Sequence, residues 1–98
     1  MPVTAILDLQ FRPDKLDEAL ALFGRVLQDT RAFDGCESVV LIQDQTDPAH
    51  VVAVETWASA EADAAYRAWR AGDGAITELP PLLAAAPRLT VGPAVEGV

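Results

Sequence analysis

The spacing of hydrophobic residues changes along this chain from a period of two to a period of three or four. From Val3 to Phe11, apolar residues occupy every second position, which is the pattern of a β-strand with one apolar face. Between Leu16 and Leu27 they recur every three or four positions, as in an amphipathic helix. Strand-like segments and a second helix-like segment follow. The pattern therefore predicts a protein built from both sheet and helix.

The predicted elements after the first helix complete a second, similar half of the chain. In order they are a strand at Cys36–Gln43, a hairpin connection at Asp44–Ala49, a strand at Val51–Trp57, a helix at Ala60–Ala71, two short turns within Ile76–Ala86 and a strand at Leu89–Val95. Ser59 is a good N-cap for the second helix. The order strand, helix, strand, strand, helix, strand predicts the α+β class and the ferredoxin-like split βαβ fold. Its sheet has four antiparallel strands, with both helices on one face.

The length of the chain predicts a single domain, residues 1–98, that pairs with a second copy. A chain this short buries only about 60–70% of its unfolded surface, so its own core is thin. If the sheet face without helices is apolar, it must be covered. Two sheets packed face to face would cover both, which predicts a homodimer in the form of a dimeric α+β barrel.

Composition and charge argue against several classes of function. The formal net charge of −8 argues against nucleic acid as a partner, because phosphate binding needs a basic surface. No apolar run reaches the roughly 18–20 residues that span a bilayer, and no signal-peptide pattern is seen, so we expect a cytoplasmic protein without membrane contact. The single Cys36 excludes an internal disulfide. We expect no metal and no cofactor, since neither Cys/His clusters nor a glycine-rich nucleotide loop occurs.

The acidic residues are concentrated in one stretch of the chain. Seven lie between Ala32 and Tyr66, and no Lys or Arg interrupts them. They form either a solvated acidic face or the wall of an acidic pocket.

The aromatic residues are also unevenly distributed. Of the six, Trp57, Tyr66 and Trp69 lie within thirteen positions of each other. Helical spacing places Tyr66 and Trp69 on one face of the second helix. Because aromatic side chains favour ligand pockets and interfaces, this segment is where we expect a functional site.

Four short motifs occur in order over most of the chain. They are Arg31–Cys36 with its Gly-Cys turn, Asp47-Pro48, Glu55-Thr56-Trp57 and Ser59–Ala62. In this order and at this spacing they resemble the antibiotic biosynthesis monooxygenase family, a group within the dimeric α+β barrel superfamily. The resemblance implies an oxygenase that needs no metal, haem or flavin. Its partners would be dioxygen and a small aromatic substrate, namely a polycyclic phenol, anthrone or quinol.

The chain departs from the family pattern at one position. Family members often carry a histidine on the helix near the position of Tyr66. The only histidine here, His50, falls in the predicted hairpin, where we expect a solvated loop residue. Haem-degrading members bind iron through the helical histidine, so its absence argues against haem degradation. It also removes the easiest general base.

The resemblance and the aromatic segment together give the candidate site residues. The expected catalytic residues are Tyr66, Trp57, Arg70 and Asp8, and the expected substrate-binding residues are Trp57, Tyr66, Trp69, Phe23 and Glu55. The tryptophans either stack on a planar substrate or fill the core. Tyr66 either contacts a substrate oxygen or packs the helix onto the sheet.

The charged candidates carry similar alternatives. Arg70 is expected to stabilise an enolate or semiquinone, and Asp8, if it points inward, would be a base with a raised pKa. Glu55 competes with Asp8 for that role. Arg67, four residues after Asp63, fits a surface ion pair.

These observations favour a homodimeric, cofactor-independent monooxygenase. Such chemistry needs no cofactor because deprotonation of the substrate gives a delocalised anion that can itself reduce dioxygen. The protein then supplies a dry slot, a base and groups that stabilise the anion. Two alternatives remain open on the same fold: a non-catalytic small-molecule-binding or accessory dimer, and an isomerase or cyclase.

Overall fold

The computed structural model describes residues 1–98 and has the predicted α+β ferredoxin-like arrangement. The strands are β1 (Val3–Gln10), β2 (Cys36–Asp44), β3 (Asp47–Trp57) and β4 (Arg88–Gly92), and the helices are α1 (Leu16–Ala32) and α2 (Ala60–Arg70). Short 3-10 turns occupy Pro13–Lys15 and Pro80–Leu82. No helix is long and apolar enough to cross a membrane.

The four strands form one antiparallel sheet in the order β2-β3-β1-β4. The central pair, β1 and β3, runs in register from Val3 opposite Trp57 to Gln10 opposite His50. The edge strand β4 ends at Gly92, earlier than predicted, because Pro93 has no amide hydrogen to donate to the ladder.

The side chains between helices and sheet form two hydrophobic clusters. The larger joins α1 to the strands through residues that include Leu9, Phe11, Phe23 and Val51. The smaller lies beneath α2 and consists of Val3, Ala5, Trp57 and Tyr66. The period-two apolar residues of β1 therefore all face the helices, as their spacing predicts.

The hairpin between β2 and β3 is tighter than the sequence suggested. Oδ1 of Asp44 accepts hydrogen bonds from the backbone amide and the hydroxyl of Thr46, both at 2.8 Å. This local turn lets β3 begin at Asp47, so Asp47-Pro48 belongs to a strand. The expectation of a loop position for His50 was therefore wrong: it is a half-buried strand residue.

The turn at Gly35 fixes the entry of the chain into β2. Gly35 has φ of 90°, and a Cβ atom there would overlap the side chain of Ala62 on α2. Its carbonyl oxygen accepts a hydrogen bond from the amide of Ala58 at 2.8 Å. Glycine is therefore required both by the backbone conformation and by the close approach of α2.

The opposite face of the sheet carries no helix and is partly apolar. Ile6, Val40 and Ile42 are 38%, 53% and 53% exposed. The register places them beside Val54 and Val52 of β3, so they share one face. We call this surface the helix-free face.

Candidate functional site

A small cavity lies between the two helices and the sheet. Its volume is about 110 Å³, and we call it the inner cavity. Four polar side chains line it: Glu55, Tyr66, Arg67 and Arg70. Its apolar walls include Leu7, Phe23, Val26, Leu27 and Ala53, with Ile76 and Leu79 at one side. Apolar walls with a few convergent polar groups are typical of ligand sites.

Tyr66 points from α2 towards α1 and is 4% exposed. Its hydroxyl lies 2.7 Å from Oγ1 of Thr30 and accepts a hydrogen bond from Nε of Arg70 at 2.8 Å. Because the Thr30 hydroxyl donates to the Val26 carbonyl at 3.2 Å, the Tyr66 proton is the one shared with Thr30. The Tyr66 hydroxyl is thus buried, and its proton is already used in the hydrogen bond to Thr30.

Arg70 connects the end of α2 to α1. Its Nη2 donates to the Val26 carbonyl and to Thr30 Oγ1, both at 3.2 Å, and its Nη1 donates to the Gly74 carbonyl at 3.1 Å. The guanidinium carbon also lies 4.5 Å from the centre of the Trp69 ring. These contacts hold a positive charge at the edge of the inner cavity.

Glu55 is a carboxylate that is only 3% exposed. Its Oε1 accepts hydrogen bonds from Trp57 Nε1 at 3.0 Å and from Arg67 Nη2 at 2.5 Å. No hydrogen bond in the protein engages Oε2. Arg67 also donates to Asp63 at 3.2 Å, so the surface ion pair expected from sequence is instead a partly buried network.

The aromatic residues pack mainly against each other. Trp57 is fully buried, 4.8 Å from Tyr66 between ring centres, and Phe33 meets Trp57 edge-on at 6.1 Å. Trp69 lies 5.5 Å from Phe33. Neither tryptophan lines the inner cavity. Trp57 reaches it only through its hydrogen bond to Glu55.

A larger and more open space lies outside the inner cavity. This outer cleft has a volume of about 630 Å³ and is lined largely by residues 75–87, the segment that connects α2 to β4. Arg70, Ile76 and Leu79 line both spaces. The connecting segment is attached to β1 through its backbone: Arg12 donates to the Leu82 carbonyl at 2.9 Å, and Ala84 donates to the Gln10 carbonyl at 2.8 Å.

Asp8 lies on the opposite side of the sheet from these residues. Its Oδ1 is 2.9 Å from Nε2 of His50, whose Nδ1 is 3.1 Å from Oδ2 of Asp44. The alternation of β1 turns Asp8 towards the helix-free face, which corrects the expectation of an inward side chain. Hydrogen bonds to Asp8 and then to Asp44 raise the pKa of His50. Hydrogen bonds from Thr46, followed by that from His50, lower the pKa of Asp44 to about 2.

The inner cavity thus brings together Phe23, Glu55, Tyr66 and Arg70 of the predicted residues. Sequence reasoning missed Thr30, although a polar residue three positions after Leu27 on an apolar helix face was a usable signal. It also assigned Arg67 to the surface, because its partner Glu55 is remote in sequence. No group of three or more His, Cys, Asp or Glu side chains is placed to hold a metal ion.

Comparison with known proteins identifies the family. The sequence model described as antibiotic biosynthesis monooxygenase matches residues 2–75. The chain belongs to the antibiotic biosynthesis monooxygenase family. Among curated proteins, none matches the sequence of this family member.

Solved structures similar to this family member share its fold along nearly the whole chain. Rv0793 from Mycobacterium tuberculosis is 27% identical with a TM-score of 0.82, over 100% of both chains. A protein named antibiotic biosynthesis monooxygenase is 22% identical with a TM-score of 0.83, over 95% of this chain and 98% of that one. A conserved protein from Methanosarcina mazei Go1 is 15% identical with a TM-score of 0.84, over 94% and 91%. At such identities the last two demonstrate a common fold and not a common reaction.

Proposed function

We propose that this protein is a cofactor-independent monooxygenase that oxidises a polycyclic phenol, anthrone or quinol with dioxygen. The observation that carries the proposal is the inner cavity, where the Glu55 carboxylate, the Tyr66 hydroxyl and the Arg70 guanidinium border one apolar space. Membership of the monooxygenase family supports the same reaction class.

The proposed reaction needs no electrons from the protein. A base removes a proton from the substrate, and the resulting delocalised anion transfers electrons to dioxygen. For an anthrone, the ring methylene becomes a carbonyl: one oxygen atom enters the product, and the other leaves as water with the two methylene hydrogens. The protein lowers the barrier by orienting the substrate and stabilising the anion.

Glu55 is the base in this proposal. Both donors to its carboxylate act on Oε1, so Oε2 retains free lone pairs for a substrate proton. Asp8 faces the other side of the sheet, which favours Glu55 of the two carboxylates considered. Trp57 acts through Glu55 as a positioning residue, because its indole N–H fixes the carboxylate.

Tyr66 and Arg70 stabilise the substrate anion in this proposal. Of the two arginines beside Tyr66, Arg70 is the one that donates a hydrogen bond to the Tyr66 oxygen. A substrate oxygen that reaches this pair would meet a guanidinium in an apolar surrounding, where a charge–charge interaction is stronger than in water.

The test is Glu55→Gln. Glutamine has the same size and keeps an oxygen that can accept from Trp57 and Arg67, but it cannot act as a base. Loss of a general base typically costs about 10²–10⁴-fold in rate, so oxygen consumption with 1,8-dihydroxyanthrone should fall by at least about 100-fold. Asp8→Asn on the helix-free face is the matched control and should retain parental turnover. Undiminished oxygen uptake in Glu55→Gln would remove Glu55 as the base.

A non-catalytic binding protein is the second candidate. It is favoured by the Tyr66 hydroxyl, whose proton is already engaged by Thr30 and whose oxygen is already occupied by Arg70. In that case aromatic compounds would bind saturably while no oxygen is consumed. An isomerase or cyclase would likewise consume no oxygen, but it would convert its substrate to a product of the same composition.

A further inference from the structure

The inner cavity and the outer cleft are neighbouring spaces that share part of their lining. Arg70, Ile76 and Leu79 line both of them, so the two spaces meet at these three residues. Ile76 and Leu79 are half-buried residues on a segment without regular structure. We call these three residues the gate.

The two volumes indicate how a ligand must be divided between the spaces. A cavity of about 150 Å³ accommodates a single benzene molecule. The inner cavity, at about 110 Å³, is smaller than that, so it can take the edge of one aromatic ring and not a fused polycycle. Pockets for drug-sized ligands measure about 300–1,000 Å³, and the outer cleft at about 630 Å³ lies in this range.

We infer that the substrate binds across the gate, with the edge of its reacting ring in the inner cavity and its remaining rings in the outer cleft. This inference rests on the proposed function and assigns specificity for substrate size and shape to residues 75–87. The cleft is lined by Ala, Pro, Leu and Ile side chains with Arg70 as its only charge. The part of the substrate that lies there is therefore uncharged and apolar.

The extent of the family match supports a separate role for this segment. The matched region ends at residue 75. Most of the inner cavity, including Glu55, Tyr66 and Arg70, lies inside that region, whereas most of the cleft wall lies beyond it. The residues inside the family match thus include the proposed reacting groups, and the residues beyond it, whose fold the similar solved structures share, line most of the larger space.

The experiment compares three probes of increasing size: phenol, 1-naphthol and 1,8-dihydroxyanthrone. Ala85→Phe places a ring in the outer cleft from an exposed position. Calorimetric titration should then show at least about tenfold weaker binding of dihydroxyanthrone, a smaller loss for naphthol and less than a twofold change for phenol. Ala64→Phe, at an exposed position of α2 outside the cleft, is the matched control and should change none of the three.

Leu79→Ala provides a second, opposite change by removing part of the gate. It should speed the association of dihydroxyanthrone several-fold, with a smaller effect on phenol. Thermal unfolding of each variant identifies any loss of fold.

Several results would overturn the inference. They are an unchanged affinity for dihydroxyanthrone in Ala85→Phe, an equal loss for all three probes, or no binding of dihydroxyanthrone to the parent. A change in sedimentation without a change in affinity would show that a second copy covers the cleft, which also overturns it.

If Ala85→Phe weakens binding as expected but the parent consumes no oxygen, the bipartite site stands and the enzyme proposal fails. If oxygen consumption is intact and equally efficient in Ala85→Phe, the enzyme proposal stands and the bipartite site fails.

Discussion

At the scale of single residues, Arg70 has the widest set of contacts around the candidate site. It binds the Tyr66 hydroxyl, the Thr30 hydroxyl and two backbone carbonyls, and it lies over the Trp69 ring. These bonds fix the guanidinium before any ligand arrives, which lowers the entropic cost of using it. The same bonds also mean that Arg70 contributes to joining α1 and α2. Loss of activity in an Arg70 variant should therefore be read together with its unfolding curve.

The contacts of His50 predict a pH-dependent contribution to stability. Its pKa in the folded state lies above the ordinary 6.5, so the contribution is complete below pH 6.5 and is lost as the pH rises through the folded value. The pKa of Asp44 is lowered to about 2, so its contribution is present above its ordinary pKa of 3.8 and is lost as the pH falls towards 2. Urea unfolding from pH 2 to pH 9 should show both losses.

Two variants compare the contributions of His50 and Asp44 to the pH dependence of stability. His50→Gln should flatten the upper part of the pH profile and reduce the acid limb only in part, because the hydrogen bonds from Thr46, the larger cause of the lowered Asp44 pKa, remain. Asp44→Asn should weaken the acid limb and reduce the upper part only in part, because Asp8 still bonds His50. A parental profile in His50→Gln above pH 6.5 would show that the imidazole contributes nothing. Both side chains are partly exposed, so added salt should reduce the effect.

At the scale of elements, replacing each of two glycines by alanine should change stability in opposite directions. Gly24 lies in the exposed middle of α1, and a Cβ there would have nothing within 4 Å. Gly24→Ala should therefore stabilise the protein by about 0.5–1 kcal/mol. Gly35→Ala meets Ala62 and must hold φ of 90°, so it should destabilise the protein by more than about 1 kcal/mol.

Chemical denaturation of the two alanine variants beside the parent protein checks this pair. If Gly35→Ala is neutral, the turn and the start of α2 must be able to separate at little cost. If Gly24→Ala is destabilising, the exposed middle of α1 must be in contact with something, such as a second chain.

The elements themselves were largely predictable, and the errors have local causes. Ser59 caps α2 as expected, with its Oγ accepting from the Ala62 amide at 3.1 Å. Periodicity also gave every strand and helix in the right order. It failed at the β2–β3 hairpin, because the Asp44 side chain replaces backbone hydrogen bonds in the turn and thereby shortens it. The gate residues carry no periodic signal, since they lie in an irregular segment.

At the scale of the whole molecule, the helix-free face predicts self-association. Ile6, Val40 and Ile42 form an exposed apolar patch on a sheet that nothing covers. Sedimentation velocity at micromolar concentration should give a dimer, and Ile42→Glu should shift it to monomer, because the carboxylate would be buried without a partner.

Leu20→Glu is the control for this prediction. Leu20 is 37% exposed on α1, on the opposite side of the sheet, so its substitution should leave the dimer intact. A stable parental monomer at this concentration would contradict the dimeric barrel. Dissociation by Leu20→Glu instead of Ile42→Glu would place the contact on the helices.

The candidate site could be predicted only in part, because it depends on packing between remote segments. Composition and resemblance directed attention to Tyr66, Arg70 and Glu55, which line the inner cavity. Composition and resemblance could not decide between two roles for Trp57: a hydrogen-bond donor that holds Glu55, or a wall of the cavity. The choice depends on how closely Phe33 and Tyr66 approach the indole in three dimensions.

The backbone attachment of residues 75–87 has a consequence for how this protein can diversify. Amide-to-carbonyl bonds join this segment to the end of β1 at Arg12–Leu82 and Ala84–Gln10. Such bonds do not depend on side-chain identity, except that proline cannot donate one. A combinatorial library that randomises the exposed cleft positions Ala85 and Ala86 and keeps the core-packed Ile76, Leu79 and Leu83 should therefore yield many folded members. On the proposed function, the choice of substrate could then change through these positions while Glu55, Tyr66 and Arg70 stay as they are.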